Sequence, residues 1–269
     1  MTASTRSDLP PEDEILFAVS DGIATITLNR PQQRNALSRR ANERLFDLWS
    51  TIDADASIAV VILTSSDCGV FCAGMDLREA AQLRQETGKD ILDLLPDPMY
   101  QRMRSVKAPI IAAMTGHFTA AGMVLALNSD LRIGLRDTRG GITETRVGRG
   151  SPWAVPMLWM VPQPVLMEMV LTGEMIDIAR LHQLGFINYV EDTPQAVRDR
   201  ARTLAANIQA NAPLSVRAAK ASLLAAMELS TGPGFERAQQ IFALVYASED
   251  AQEGPRAFAE KRKPVWKGR

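Results

Sequence analysis

The sequence predicts an α/β fold: a spiral core of strand-strand-helix units over residues 12–190, then a helical region over residues 191–269. Three observations predict it. Two β-rich runs, ILFAVS and IATITLN, flank Asp21-Gly22, a two-residue hairpin signal. Strand-like and helix-like segments then alternate, as a largely parallel core with crossover helices requires. From Pro152 onward the alternation gives way to helical spacing.

Taken in order, the hairpin is followed by RPQQRNALS, which breaks the alternating pattern. Ser38 is positioned as the N-cap of a helix whose apolar face carries Leu45, Leu48, Trp49 and Ile52. AVVILTS and PIIAAM read as buried strands, and LNSDLRIG leads into a third around Leu131–Gly134. Beyond Pro152 the spacing predicts helices over Pro164–Leu171, Ile176–Leu184, Pro194–Gln209, Leu214–Glu228 and Phe235–Ala247. FINYV is the one clear strand among them.

Composition narrows the function classes. Of 269 residues, 46% are apolar and 23% charged, an ordinary globular balance. The net charge of −1 supplies no general attraction for nucleic acid or an anionic membrane, so neither is expected as a partner. Cys68 and Cys72 are not spaced as a redox pair, and two histidines are too few for a zinc set, so no metal is expected. The N-terminal MTASTRSDLPPEDE lacks a secretory pattern, and Thr115, Gly116, His117 and Thr119 interrupt the longest apolar stretch. A cytoplasmic protein is the expectation.

Phosphate-binding, dinucleotide, nucleophile-elbow and metalloprotease motifs are absent. Three other segments hold chemical content. VFCAGMDLRE follows a strand, and its Ala-Gly turn brings backbone toward a ligand. Asp76 would cap the helix that starts at Leu77, leaving the amide of Met75 as a donor, with Arg78 within reach of a phosphate. TGHFTAAGMVLAL places a helix start near Ala121-Gly122, where N–H groups lack partners in the helix. GGITETRVGRGSPW carries Glu144. Two converging amides would hold an enolate oxygen while a carboxylate moves a proton at carbon. Each segment alone also fits ordinary packing.

In this order the segments resemble the enoyl-CoA hydratase/isomerase (crotonase) family. The resemblance runs through ITLNRPQQRNALS, FCAGMDLRE, APIIAAMTGHFTAAGMVLALNSDLRI, ITETRVG and EDAQEGPRAFAEKRKPVW. It implies a crotonase-like spiral of ββα units with a C-terminal helical trimerisation region. It also implies an enzyme acting on an acyl-CoA thioester, with no cofactor beyond the coenzyme A of the substrate, assembled as a homotrimer or homohexamer. Carried over by residue, Met75 and Ala121 supply the oxyanion amides and Glu144 the acid/base. Ala36, Ala73, Asp76, Leu77 and Arg78 line the coenzyme A site, which Phe242 and Lys261 complete, commonly across a subunit boundary.

The departures are informative. Hydratases of the family use two glutamates, and Val124 occupies the first position. Pro152 stands where dienoyl-CoA isomerases carry an extra aspartate, and Ala121 replaces the usual glycine. One remaining base favours double-bond isomerisation. Hydration by Glu144 with an ordered water, and coenzyme A binding without turnover, remain as alternatives. His117 is a second acid or, the preferred reading, a structural residue. Met75, Val124, Trp153 and Ala154 are candidates for an apolar wall around Glu144, and SPWAVPMLWMVPQP is either an acyl-tail pocket or helix packing. The basic run EKRKP reads as a solvated face or a phosphate contact rather than an RNA site.

Overall fold

Residue 11 opens a short helix that runs straight into a sheet. The structure, a computed structural model, describes residues 11–97 and 99–269. The polar N-terminal reading rests mainly on residues 1–10, which lie outside the described residues. α1 (Pro11–Glu14) leads into β1 (Ile15–Ser20), which pairs antiparallel with β2 (Ile23–Leu28), Ile15 opposite Leu28. The turn forms because Asp21 and Gly22 both accept positive φ, +50° and +74°.

α2 (Arg39–Ala54) begins at Ser38, whose hydroxyl accepts from the Ala41 amide at 3.0 Å. Leu45, Leu48, Trp49 and Ile52 are buried, as their spacing predicts. β3 (Val60–Ser65) follows, then β4 (Val70–Cys72), α3 (Leu77–Thr87), α4 (Gln101–Ser105) and β5 (Ile110–Met114). β6 (His117–Thr119), α5 (Ala121–Leu127), β7 (Leu131–Leu135) and β8 (Arg139–Gly141) complete the first half. α6 (Gln163–Thr172), β9 (Met175–Asp177), α7 (Ile178–Gln183) and β10 (Tyr189–Glu191) precede four helices: α8 (Pro194–Gln209), α9 (Pro213–Ala226), α10 (Thr231–Tyr246) and α11 (Glu249–Ala259).

Two sheets result. The larger has the order β1-β2-β3-β5-β7-β10, parallel from β2 onward; the smaller has the order β4-β6-β8-β9. β3 and β5 are buried along their whole length, as continuous apolar runs in a sheet covered on both faces must be. One face carries the main core with Trp49, Phe71, Met114 and Phe118. On the other, Val197, Ala201 and Ala205 of α8 pack on Val60, Ile62, Ile111 and Ile133. The smaller sheet is built from strand ends, and it is there that the chemistry-bearing segments meet. No helix among the described residues is long and apolar enough to cross a membrane.

Several elements differ from the sequence reading, α10 among them, which starts at Thr231 rather than Phe235. Ile176 is in β9, paired with Gly140, rather than in a helix starting there, because the smaller sheet takes that short run as an edge strand. The FINYV strand shifts to Tyr189–Glu191, since Phe186 and Ile187 are drawn into the main core. α11 has no counterpart in the sequence pattern, because Gly254 and Pro255 disguise its periodicity, although Ser248 caps it.

The loop before α2 is fastened by Asn35, which is 1% exposed and at φ +53°. Its side-chain Oδ1 accepts from the Arg30 amide at 3.0 Å, and its Nδ2 donates to the carbonyls of Ser66 (3.0 Å) and Val70 (2.8 Å). Asn35→Ala leaves those buried groups unpaired and is expected to cost roughly 2–4 kcal/mol, read from the urea unfolding midpoint. A loss below about 0.5 kcal/mol would show that other contacts hold this loop.

Candidate active site

The first loop is shaped by Gly74. After β4 the chain turns through Ala73 and Gly74, whose φ of +107° disfavours any side chain. Leu37 then bridges to Met75: the Leu37 amide donates to the Gly74 carbonyl at 2.8 Å, and the Asp76 amide to the Leu37 carbonyl at 2.9 Å. The Met75 N–H, between these bonds, has no acceptor among the described residues. Asp76 caps α3, accepting from the amides of Arg78 (3.2 Å) and Glu79 (3.3 Å). Arg30 donates to Asp76 at 3.1 Å and to the Ala36 carbonyl at 2.6 Å, while the Ala73 amide donates to the Arg34 carbonyl. Ala36, Ala73, Asp76, Leu77 and Arg78 thereby fall on one connected edge, with Leu77 and Arg78 exposed.

The second loop abuts the first. β6 leads into Ala120, which adopts φ +50° and ψ −119°, and α5 then begins at Ala121. The Ala121 N–H also has no acceptor among the described residues. A Cβ at Gly74 would lie 2.9 Å from the Ala120 Cβ and 3.8 Å from the Ala121 nitrogen, and one at Gly122 only 2.4 Å from the Cys72 carbonyl oxygen. Two unpaired amides are therefore presented from touching loops. His117 is occupied elsewhere: its Nδ1 accepts from the Arg139 amide at 3.0 Å, joining β6 to β8.

Glu144 is tied to the second loop through two threonines. Thr119 Oγ1 donates to the Gly141 carbonyl at 3.1 Å and lies 2.7 Å from Thr143 Oγ1, immediately before Glu144. Glu144 starts a 3-10 turn over Glu144–Val147, is 8% exposed, and leaves Oε2 buried without a hydrogen-bond partner. Burial pushes its pKa above the usual carboxylate value, opposed by hydrogen bonds from its own amide, the Trp153 side chain and the Thr143 amide. An orphaned buried carboxylate oxygen is costly in a structural residue and is the group most open to an incoming proton.

The apolar residues named from the sequence divide. Val124 and Ala154 are buried, and Met75 and Trp153 are partly buried against the main core. Residues Pro152–Trp159 form a 3-10 helix in which Met157 faces the core while Leu158 and Trp159 are exposed. Phe242 lies on α10 beside Tyr246, and Lys261 is exposed after α11; neither has a polar contact with the residues around Met75. Among the described residues, no group of three or more His, Cys, Asp or Glu is placed to hold a metal ion. Arg30, Asn35, Thr119 and Thr143 were missed as site supports. Arg30 and Asn35 sit within RPQQRNALS, where a polar break conceals which side chains turn inward.

The enoyl-CoA hydratase/isomerase family matches residues 18–269. A relative named (E)-benzylidenesuccinyl-CoA hydratase, from Thauera aromatica, is 32% identical over 94% of this chain and 99% of its own length. The 2,3-dehydroadipyl-CoA hydratase of Escherichia coli (strain K12) is 31% identical over 95% of this chain and 99% of its own. A crystal structure of enoyl-CoA hydratase from Mycobacterium tuberculosis H37Rv superposes with a TM-score of 0.84, at 34% identity, covering 96% of this chain and 100% of that one.

The raised pKa of Glu144 has a stability consequence. The folded state holds its proton to higher pH than the unfolded state, so this group's contribution to stability falls as pH rises from the ordinary carboxylate value through the folded one. Glu144→Gln is therefore expected to unfold at higher urea than wild type at pH 7, with the gap narrowing toward pH 4.5. A less stable variant at pH 7 would show that the charged carboxylate is compensated in the fold.

Proposed function

The chain belongs to the enoyl-CoA hydratase/isomerase (crotonase) family, and on that premise we propose that it moves a double bond within an acyl-CoA thioester. The observation that carries this reading is one buried carboxylate, Glu144, in a chain where Val124 stands at the position of the family's first glutamate. The thioester oxygen accepts from the Met75 and Ala121 amides. Glu144 removes a proton from carbon, and the C–H electron pair passes into a dienolate whose charge rests on that oxygen. The same carboxyl returns the proton to a different carbon, which shifts the double bond with no net loss of atoms. Removal of one such amide donor typically costs about 2.7–4 kcal/mol of transition-state stabilisation.

Ala36, Ala73, Asp76, Leu77 and Arg78 take the adenine and phosphate end of coenzyme A, and no separate cofactor is used. Phe242 and Lys261, which make no polar contact with that edge within one chain, would complete it from a neighbouring subunit in a homotrimer or homohexamer. Exposed Leu223, Leu244, Tyr246 and Phe258 on the C-terminal helices support such an assembly, because large apolar side chains left in water favour a partner surface. A second reading, hydration with Glu144 and an ordered water, is favoured by the hydratase names of the relatives.

Incubation with 2-enoyl- and 3-enoyl-CoA thioesters separates these readings. Isomerisation by wild type, lost at least about 100-fold in Glu144→Gln, is the expected result. Val124→Glu is expected to raise residual hydration. Hydration by wild type at rates matching its isomerisation would favour the second reading. Equal inactivity of wild type and Glu144→Gln, with coenzyme A still bound by both, would leave a binding protein.

A further inference from the structure

We propose that Asp90 and Arg149 form a clamp that positions Glu144 against the oxyanion loops, an inference that rests on reading Glu144 as the base. Arg149 is fixed at both ends. Its amide donates to the carbonyl of Glu144 at 2.9 Å, and its guanidinium grips Asp90 with two bonds, at 2.5 and 2.7 Å. Two parallel charge-assisted bonds define direction as well as distance, which a single ammonium contact does not.

Asp90 is itself held in place. It caps the 3-10 turn Ile91–Asp93 by accepting from the Leu92 amide at 3.0 Å, and Ile91 is buried. The Arg149 pair holds the Asp90 carboxyl well below the usual carboxylate range. Arg84 is the other cation facing it, at 3.7 Å, and is largely exposed.

The path through the chain gives the pair its meaning. α3 starts directly after Met75 and Asp76 and ends at Gly88, whose φ of +71° turns the chain toward Asp90. From Met75 the connection therefore runs along α3 to Asp90, across the ion pair to Arg149, and through one backbone bond to Glu144. The Thr119–Thr143 bond joins the second oxyanion loop to the other flank of Glu144. Arg146 also pairs with Glu174, but that bond anchors the segment only to the chain following α6. A 3-10 turn as short as Glu144–Val147 has poor internal hydrogen-bond geometry and needs such external ties. Without the clamp, Glu144 keeps its fold and its threonine tie but loses its link to the Met75 side.

Wild type, Asp90→Ala, Arg149→Ala, the double variant and Arg149→Lys are compared by turnover of enoyl-CoA thioesters and by amide hydrogen exchange of residues 143–150. Each alanine variant is expected to lower kcat about tenfold with KM changed less than about threefold, since small misplacement of a reacting group carries large rate penalties. The double variant is expected to lose no more than either single variant, as coupled residues do. Exchange over residues 143–150 is expected to rise about tenfold, with Arg149→Lys intermediate because it keeps the charge and loses the fork. Full additivity, a change in KM alone, or unchanged kcat and exchange would overturn the clamp. If wild type turns over no thioester, the proposed function fails and exchange alone decides: faster exchange in the variants upholds the clamp, and unchanged exchange overturns it.

Discussion

The close approach of β4 to the start of α5 is the constraint on which the rest of the site depends. At Gly122 a methyl group would meet the Cys72 carbonyl oxygen at 2.4 Å, and at Gly74 it would press on Ala120. The first contact is with backbone and the second with a methyl that has no alternative rotamer, so no side-chain rearrangement relieves either. Because nothing larger than hydrogen fits, the exits of two strands can place two free N–H groups beside each other. The bulk of the protein, from the parallel sheet to the α8 layer, serves to hold that approach.

Holding it takes buried polar groups, which are costly unless fully engaged. Arg30 is 7% exposed and sits between Asp76 at 3.1 Å and Glu14 at 3.7 Å, while also donating to the Ala36 carbonyl. Glu14 in turn accepts from the Ser38 hydroxyl that caps α2. One cation thus joins α1, the α2 cap and the α3 cap. A Lys could not bond Ala36 and Asp76 from separate nitrogens. The buried Cys72 is the opposite case: its thiol, pushed up to about 12 by burial, is inert packing beneath the loop.

Much of this was legible because the signals are local. Asp21-Gly22, the Ser38 cap, the Asp76 cap and the buried faces of β3 and β5 each follow from a short window of sequence. The family resemblance and crotonase-like fold were legible from five segments in order. What escaped depends on contacts distant in sequence. Asn35 bonds residues some thirty positions away, and Asp90 meets Arg149 fifty-nine positions on. Nor does any pattern announce that Ala120, an ordinary alanine, adopts a left-handed φ. The backbone accepts it because Gly74 makes room on one side and α5 must start on the other.

Val124 then acquires a meaning that a missing side chain alone would not give it. A second carboxylate beside Glu144 would couple the two titrations, since like charges at close range cannot both ionise cheaply. No neighbouring charge contributes to the shift of Glu144; burial raises its pKa and hydrogen bonds oppose it. A base whose strength is set by desolvation is strongest where its surroundings are dry. Buried, apolar Val124 offers no oxygen to orient a water. On the proposed function, proton shuttling between carbons needs only the one carboxyl and the held oxyanion, so an apolar residue at position 124 bears on the hydration reading and not on the isomerisation one.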